Sequence, residues 1–289
     1  MSRILVTGAT GTIGSLLLPL LAEKGAEVRA LTRNAGAALP AGVELCVGNL
    51  TFALDLGYAL DGVDVVFILT EGADLARKDA LVAQIAAESG VKCIVKLSVL
   101  SASHGAKDPI TQWHLAGESA IKTSGLAWTM LRPNAFMSNA LNWAVSIAGA
   151  GCVEAPFMDR PTSCVDPLDI ARVAAEVLTA PGHDGQHYNL TGPEPLSIRS
   201  QVGILADELG RPIEAAELTR QQAVERLSRF GMAQQMAEAV VAMFASAEDP
   251  RNAEISGDIE SITGHRASTF RHWVRRNVDA FSHPKSAWR

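Results

Sequence analysis

Gly8-Ala9-Thr10-Gly11-Thr12-Ile13-Gly14 follows the run Ile4-Leu5-Val6-Thr7 and leads through Ser15 into Leu16-Leu17-Leu18. A G-x-x-G-x-x-G string carries little by itself, but between a strand and an amphipathic helix it restricts the fold sharply. Gly8 permits a tight turn, Gly11 lets the backbone approach a pyrophosphate, and Gly14 permits close packing of helix on strand. The free N–H groups and dipole of the helix start then favour phosphate. Thr10, Thr12 and Ile13 therefore join the three glycines as candidate cofactor-binding residues.

The pattern that follows fits a doubly wound sheet. Short β-branched runs at 3–7, 27–32, 43–47, 64–70, 93–99 and 127–131 alternate with helical segments, the rhythm of parallel strands joined by right-handed crossovers. The first helix runs to about residue 24 and is closed by Gly25, others cover 51–60 and 73–88, and Arg132-Pro133 is expected to break the sixth strand. Asp108-Pro109 and Asp166-Pro167 each place an N-cap ahead of a proline at the first helical position, starting helices to about 123 and over 168–179. A strand at 186–190 and helices at 198–209, 220–229, 232–247 and 268–281 complete the chain. The expected class is α/β: a Rossmann-type doubly wound parallel sheet over residues 1–150, re-entered at about 163–192, with a smaller, mainly helical lobe built mostly from 151–289. Ligands in such folds sit outside the carboxyl ends of the strands.

Composition narrows the class. Of 289 residues, 48% are apolar and 19% charged, enough for a sizeable core, and the net charge of −6 opposes a nucleic-acid footprint. Arg271, Arg275 and Arg276 read as one helix face rather than a basic patch. Cys46, Cys93, Cys152 and Cys164 show no metal-ligand spacing and suit a reducing compartment. The chain begins on an apolar strand with no room for a leader and contains no membrane-length apolar run, so a cytoplasmic location is expected.

The tip of the second strand selects the cofactor. Dinucleotide sites for NAD(H) carry an acid there to hold the ribose hydroxyls. This chain reads Ala30-Leu31-Thr32-Arg33-Asn34. Arg33, helped by Thr32 and Asn34, suits a 2′-phosphate, and NADP(H) is expected over NAD(H).

The usual acid of alcohol–ketone chemistry on this fold is missing. That chemistry uses a tyrosine with a lysine four residues on. Of the two tyrosines here, Tyr58 is followed at that spacing by Gly62 and Tyr188 by Gly192. In the helix where the pair would lie stands His114-Leu115-Ala116-Gly117-Glu118. His and Glu at i, i+4 share a helix face, so Glu118 is placed to orient the imidazole or hold its proton. His114 then reads as a proton donor, as a pocket-lining residue, or as one half of a solvated surface pair. Lys96, within the apolar run CIVKLSV, is expected to snorkel to solvent.

ILVTGATGTIG, the absent Y-x-x-x-K, HLAGE, SGLAWTMLRPNAFMSN and VDPLDIARVAAEVLTAPGHDGQHYNLTGPEPLSI together resemble the NmrA-like atypical short-chain dehydrogenases, nearest their bacterial quinone oxidoreductase and triphenylmethane reductase branch, over roughly residues 3–215. The resemblance implies NADPH in the sheet domain and a substrate cleft beneath the smaller lobe. It places Thr70 on the cofactor path, Ser98 and Ser101 near the reacting ring, and Pro133, Asn134 and Phe136 on the loop that holds nicotinamide and substrate. Phe136, Met137 and Trp143 are candidates to wall an aromatic substrate site. The implied reaction is hydride transfer to a planar, electron-poor acceptor such as a quinone or dye, which delocalises the incoming charge and lessens the need for a strong protein acid. His114, directly or through water, then completes protonation. The family also contains redox sensors without turnover, which leaves a second, non-catalytic reading. The apolar helix at 232–247 either covers the cleft or forms a homodimer contact.

Overall fold

The computed structural model describes residues 2–246 and 249–283. The chain runs β1 (Arg3–Thr7), α1 (Gly14–Glu23), β2 (Glu27–Thr32), β3 (Glu44–Val47), α2 (Ala53–Leu60), β4 (Val65–Ile68), α3 (Leu75–Glu88), β5 (Cys93–Leu97), a short α4 (Ser101–His104), α5 (Pro109–Lys122) and β6 (Ala127–Pro133). A 3-10 segment (Met137–Trp143) leads to α6 (Ala144–Gly149), β7 (Cys152–Ala155), α7 (Pro167–Thr179), β8 (Gln186–Leu190), α8 (Ile198–Leu209), β9 (Glu214–Glu217), α9 (Arg220–Arg229), α10 (Gln234–Ser246), α11 (Asp258–Thr263) and α12 (Phe270–Ser282). Both Asp-Pro caps form: Asp108 accepts from the Thr111 N–H at 2.9 Å, and Asp166 from the Leu168 N–H at 3.0 Å.

Seven parallel strands form one sheet in the order β3-β2-β1-β4-β5-β6-β8. The order reverses between β1 and β4, so the connections leave in opposite directions and a crevice opens above the carboxyl ends. Side-chain alternation builds two cores. Ile4 and Val6 face Leu17, Leu21, Ile170 and Ala174 of α1 and α7, whereas Leu5 faces the layer of Leu56, Val82, Ala86 and Ile121 from α2, α3 and α5. A third core lies in the C-terminal lobe. Phe270, Trp273, Val274 and Phe281 of α12 are buried there against Ile147, Val153 and Leu205, each contributing about 1.5–3 kcal/mol. Arg271 and Arg275 bind Glu208 of α8, and Arg276 binds Asp166, so this arginine face ties the lobe together.

Three features depart from the sequence expectation. β6 does not end at Leu131: it runs through Arg132 to Pro133, paired with Leu190, because the ladder there needs only the proline carbonyl, which accepts the Leu100 N–H at 2.8 Å. The mainly helical lobe also holds two strands that the sequence did not signal, β7 and β9, which pair in a separate two-stranded parallel sheet. Finally, α11 leaves the lobe and packs on α7 and β8, with Ile259 entering the sheet core. The helix expected over 232–247 spans Gln234–Ser246, and residue 247 lies outside the described residues.

Candidate functional site

A cleft of 820 Å³ runs along the carboxyl ends of the strands, within the size range of small-ligand and cofactor sites. Its floor follows the strand order. Thr32 and Arg33 lie at the end of β2, the glycine turn at β1, Leu69-Thr70-Glu71 after β4, Ser98 to Ser101 after β5, and Pro133 to Phe136 at β6. Neighbouring strands are about 4.8 Å apart. A ligand anchored at Arg33 and crossing the glycine turn therefore meets β4 next and β5 after it.

The glycine turn is built for close approach. Gly8 has φ +61°, and its carbonyl accepts the Gly11 N–H at 2.9 Å. Gly14 packs inward, where a Cβ would lie 2.3 Å from that same carbonyl oxygen. Helix α1 starts without a side-chain cap, which leaves N–H groups for an anion. Gly8, Thr10, Gly11, Thr12 and Ile13 all line the cleft. Arg33 is exposed on its edge, and among the described residues no acceptor bonds its guanidinium. Asn34 does not join it. Its Oδ1 accepts the Gly36 N–H at 2.9 Å and holds the turn after β2.

Beyond the glycine turn the floor becomes polar and buried. His114 is only 8% exposed and borders the cleft; its Nδ1 has no hydrogen-bond partner, which leaves Nε2 to the cleft. Burial, reinforced by the nearby Lys96 ammonium and opposed by Glu118, pushes the imidazole down to about 3. The expected His114–Glu118 pair does not form. Glu118 instead accepts from Ser98 Oγ at 2.7 Å and from Arg132 Nε at 2.9 Å, with Arg132 Nη2 as a further donor. A guanidinium fork satisfies both carboxylate oxygens, which one imidazole N–H cannot do. Burial alone would raise the Glu118 carboxyl, but these bonds hold it down at about 2.

Lys96 also differs from expectation. It does not snorkel: Lys96 and Asp79 of α3 are both 0% exposed, with Nζ 2.6 Å from Oδ2. Thr70 Oγ1 donates to Asp79 Oδ1 at 2.7 Å. Helix α5 passes this pair at Gly117, where a Cβ would lie 2.1 Å from Asp79 Oδ2.

The proposed substrate wall is only partly assembled. Ser101, Asn134 and Phe136 border the cleft, but Met137 is 1% exposed within the lobe core and Trp143 packs against the same cluster. The 3-10 segment turns both away from the crevice. Asn134 spends its amide on protein, donating to the Asn252 carbonyl at 2.8 Å and accepting the Ala135 N–H at 2.8 Å. Of the remaining walls the sequence pointed only to the apolar helix at 232–247, as a cover for the cleft or a homodimer contact. Asn49 follows β3 at the carboxyl edge, a position the topology alone marks. Met243 and Phe244 of α10 lie over the cleft, and α10 packs on α5 and α9. Thr162 and Asn252 come from segments with no local signature. Both tyrosines lie elsewhere: Tyr58 is 78% exposed on α2, and Tyr188 Oη lies 2.8 Å from His183 Nδ1.

These environments have a pH signature. The unfolded imidazole takes a proton below its ordinary 6.5, whereas folded His114 stays neutral down to about 3. Its contribution is complete above pH 6.5 and is lost as pH falls, at about 1.4 kcal/mol per pH unit. Glu118, depressed from 4.5 to about 2, adds a loss of the same sign at lower pH. Urea midpoints at pH 7, 6 and 5 should fall less steeply for His114→Leu than for wild type; parallel curves would show that the ring is not desolvated.

The model of the NmrA-like family matches residues 1–281. The chain is 39% identical over 285 residues to (4-alkanoyl-5-oxo-2,5-dihydrofuran-3-yl)methyl phosphate reductase of Streptomyces griseus, covering 96% of this chain and 99% of that protein. It is 34% identical over 282 residues to the NAD(P)H azoreductase of Xenophilus azovorans, with coverage of 96% and 99%. Among solved structures, the triphenylmethane reductase of Citrobacter sp. superposes with a TM-score of 0.84 at 24% identity, covering 96% of this chain and 100% of that one.

Proposed function

We propose that this chain, which belongs to the NmrA-like family, is an NADPH-dependent reductase that passes hydride to a conjugated, electron-poor acceptor such as a quinone. One observation carries this reading. A dinucleotide-sized cleft, with an uncapped helix start and an unbonded arginine at one end, offers a neutral imidazole and no tyrosine at the other. Relatives at 39% and 34% identity are reductases by name. One name specifies an unsaturated lactone and the other an azo compound, both conjugated acceptors. Four free thiols, Cys46, Cys93, Cys152 and Cys164, suit the reducing cytoplasm.

When bound, NADPH supplies the hydride. The chain supplies position and exclusion of water. Arg33 would hold the 2′-phosphate through charge-assisted hydrogen bonds, and the uncapped start of α1 would hold the pyrophosphate. Met243 and Phe244 of α10 border the cleft and would help to exclude water from a bound acceptor. In the tautomer with Nδ1 unprotonated, His114 would offer Nε2–H to the acceptor oxygen as negative charge gathers there. A ring whose cationic form gives up its proton at about 3 stands neutral at working pH and holds no second proton to give, so the proton that completes the product comes from water.

Two tests follow directly. NADPH oxidation, followed at 340 nm, should depend on an added quinone, dye or activated alkene, and His114→Ala should lower kcat about ten- to a hundredfold without abolishing it. Complete loss would make the ring an obligatory acid and sink the account of a neutral donor. Tight cofactor binding with no turnover of any acceptor would instead favour the redox-sensor reading. Arg33→Ala should weaken NADPH binding about ten- to a hundredfold and leave NADH binding unchanged; an unchanged preference for NADPH would remove Arg33 from the site.

A further inference from the structure

Lys96 and Asp79 are the least expected residues beneath the cleft: two charges with no exposed surface, on a strand and a helix that otherwise bury apolar side chains. Taking such a pair out of water brings little net stability, and an apolar pair of similar volume often serves as well. The chain nevertheless shapes α5 around it, leaving Gly117 with no room for a Cβ beside Asp79 Oδ2. Among the described residues, the pair's hydrogen bonds toward the cleft go to Thr70. The Thr70 hydroxyl donates to Asp79 Oδ1 at 2.7 Å and lies 3.4 Å from Lys96 Nζ, itself a donor. A hydroxyl has one proton and two lone pairs. Its proton is committed inward and one lone pair faces an ammonium, so the cleft meets Thr70 only as an acceptor.

We propose that the buried Lys96–Asp79 pair is a positioning element for the cofactor, locking Thr70 Oγ1 as an acceptor for a hydroxyl or amide N–H on the nicotinamide-ribose half of the dinucleotide. This rests on the NADPH reading above. The strand order assigns the half: Arg33 ends β2, the glycine turn follows β1, and Thr70 lies one strand further, across the turn from Arg33. A proton relay from Lys96 does not fit, because the Thr70 proton points to Asp79 and not to the ligand.

The test compares NADPH affinity, by fluorescence titration, with affinity for adenosine 2′,5′-bisphosphate, which lacks the nicotinamide half. Thr70→Val and the neutral pair Lys96→Met/Asp79→Leu should each bind NADPH about five- to tenfold more weakly, the effect of one neutral hydrogen bond. Thr70→Ser should bind as wild type does. The triple variant should be no weaker than either parent, since all remove the same bond. Adenosine 2′,5′-bisphosphate should bind every variant equally, which a merely structural defect would not allow. If the apolar pair does not fold, Lys96→Gln/Asp79→Asn, whose amides can exchange donor and acceptor roles, gives the same comparison. Wild-type NADPH affinity in the pair variant, or losses that multiply in the triple, would overturn the proposal. If wild type binds no NADPH, the dinucleotide reading itself falls, and this inference with it; if wild type binds and the variants match it, only the positioning role falls.

Discussion

Gly14→Ala is expected to weaken dinucleotide binding about a hundredfold. The added Cβ would lie 2.3 Å from the Gly8 carbonyl oxygen, 2.7 Å from Ala9 Cα and 2.8 Å from Ala9 C. All three are backbone atoms of the turn itself, so no rotamer change relieves the clash. Either α1 moves off β1 or the turn opens, and each displaces the N–H groups that face the phosphates. A misplacement near 1 Å costs about a hundredfold where several contacts must be met together, with about 1–3 kcal/mol of stability lost to overpacking. Gly11→Ala separates the two effects. Its Cβ meets only the Gly8 carbonyl, at 3.3 Å, so the fold should survive while the methyl occupies the path of the phosphates. NADPH titration and thermal melting of both variants decide the matter. A Gly14→Ala protein that binds within threefold of wild type would show that the turn does not set the cofactor.

Gly117→Ala should be strongly destabilising. The new methyl would lie 2.1 Å from Asp79 Oδ2, 3.0 Å from Asp79 Cγ and 3.2 Å from Leu75 Cδ2. Asp79 cannot retreat, because Lys96 Nζ lies 2.6 Å away and Thr70 bonds the other oxygen. Separating a buried pair leaves an uncompensated charge and costs about 3–5 kcal/mol. At about 2–4 °C per kcal/mol, Tm should fall by roughly 10 °C. Gly57→Ala in α2, where a Cβ meets nothing within 4 Å, should instead stabilise by about 0.5–1 kcal/mol. A Gly117→Ala melt within 2 °C of wild type would mean that α5 and α3 shift apart without penalty.

The helix and the strand that carry these charges were themselves readable from sequence, and so was most of the sheet. Gly8 to Gly14 lies between an apolar strand and an apolar helix, and Asp108-Pro109 and Asp166-Pro167 cap their helices as local rules require. Arg33 at the strand tip was likewise a local inference, since the end of the second strand is where base selection occurs in this topology. β7 and β9 escaped because four-residue strands paired only with each other carry no periodic signal. Pro133 was misjudged because proline was treated as a breaker, although a strand's last residue needs only to accept.

The charged residues are where sequence and structure part. His114 and Glu118 share a helix face, and the sequence allowed them to pair; Arg132, 14 residues from Glu118, outcompeted the imidazole with a two-pronged guanidinium. Lys96 gave no sign of Asp79, which lies on a different helix, and Met137 gave no sign that its 3-10 turn points into the lobe. The sequence alone determined the doubly wound sheet, the phosphate turn and the absence of a tyrosine acid, because turn chemistry and side-chain periodicity act between near neighbours. Only the tertiary structure decided which charges meet in the cleft floor and that His114 stays neutral. Those outcomes depend on which groups are desolvated together, and burial belongs to the packed molecule rather than to any stretch of chain.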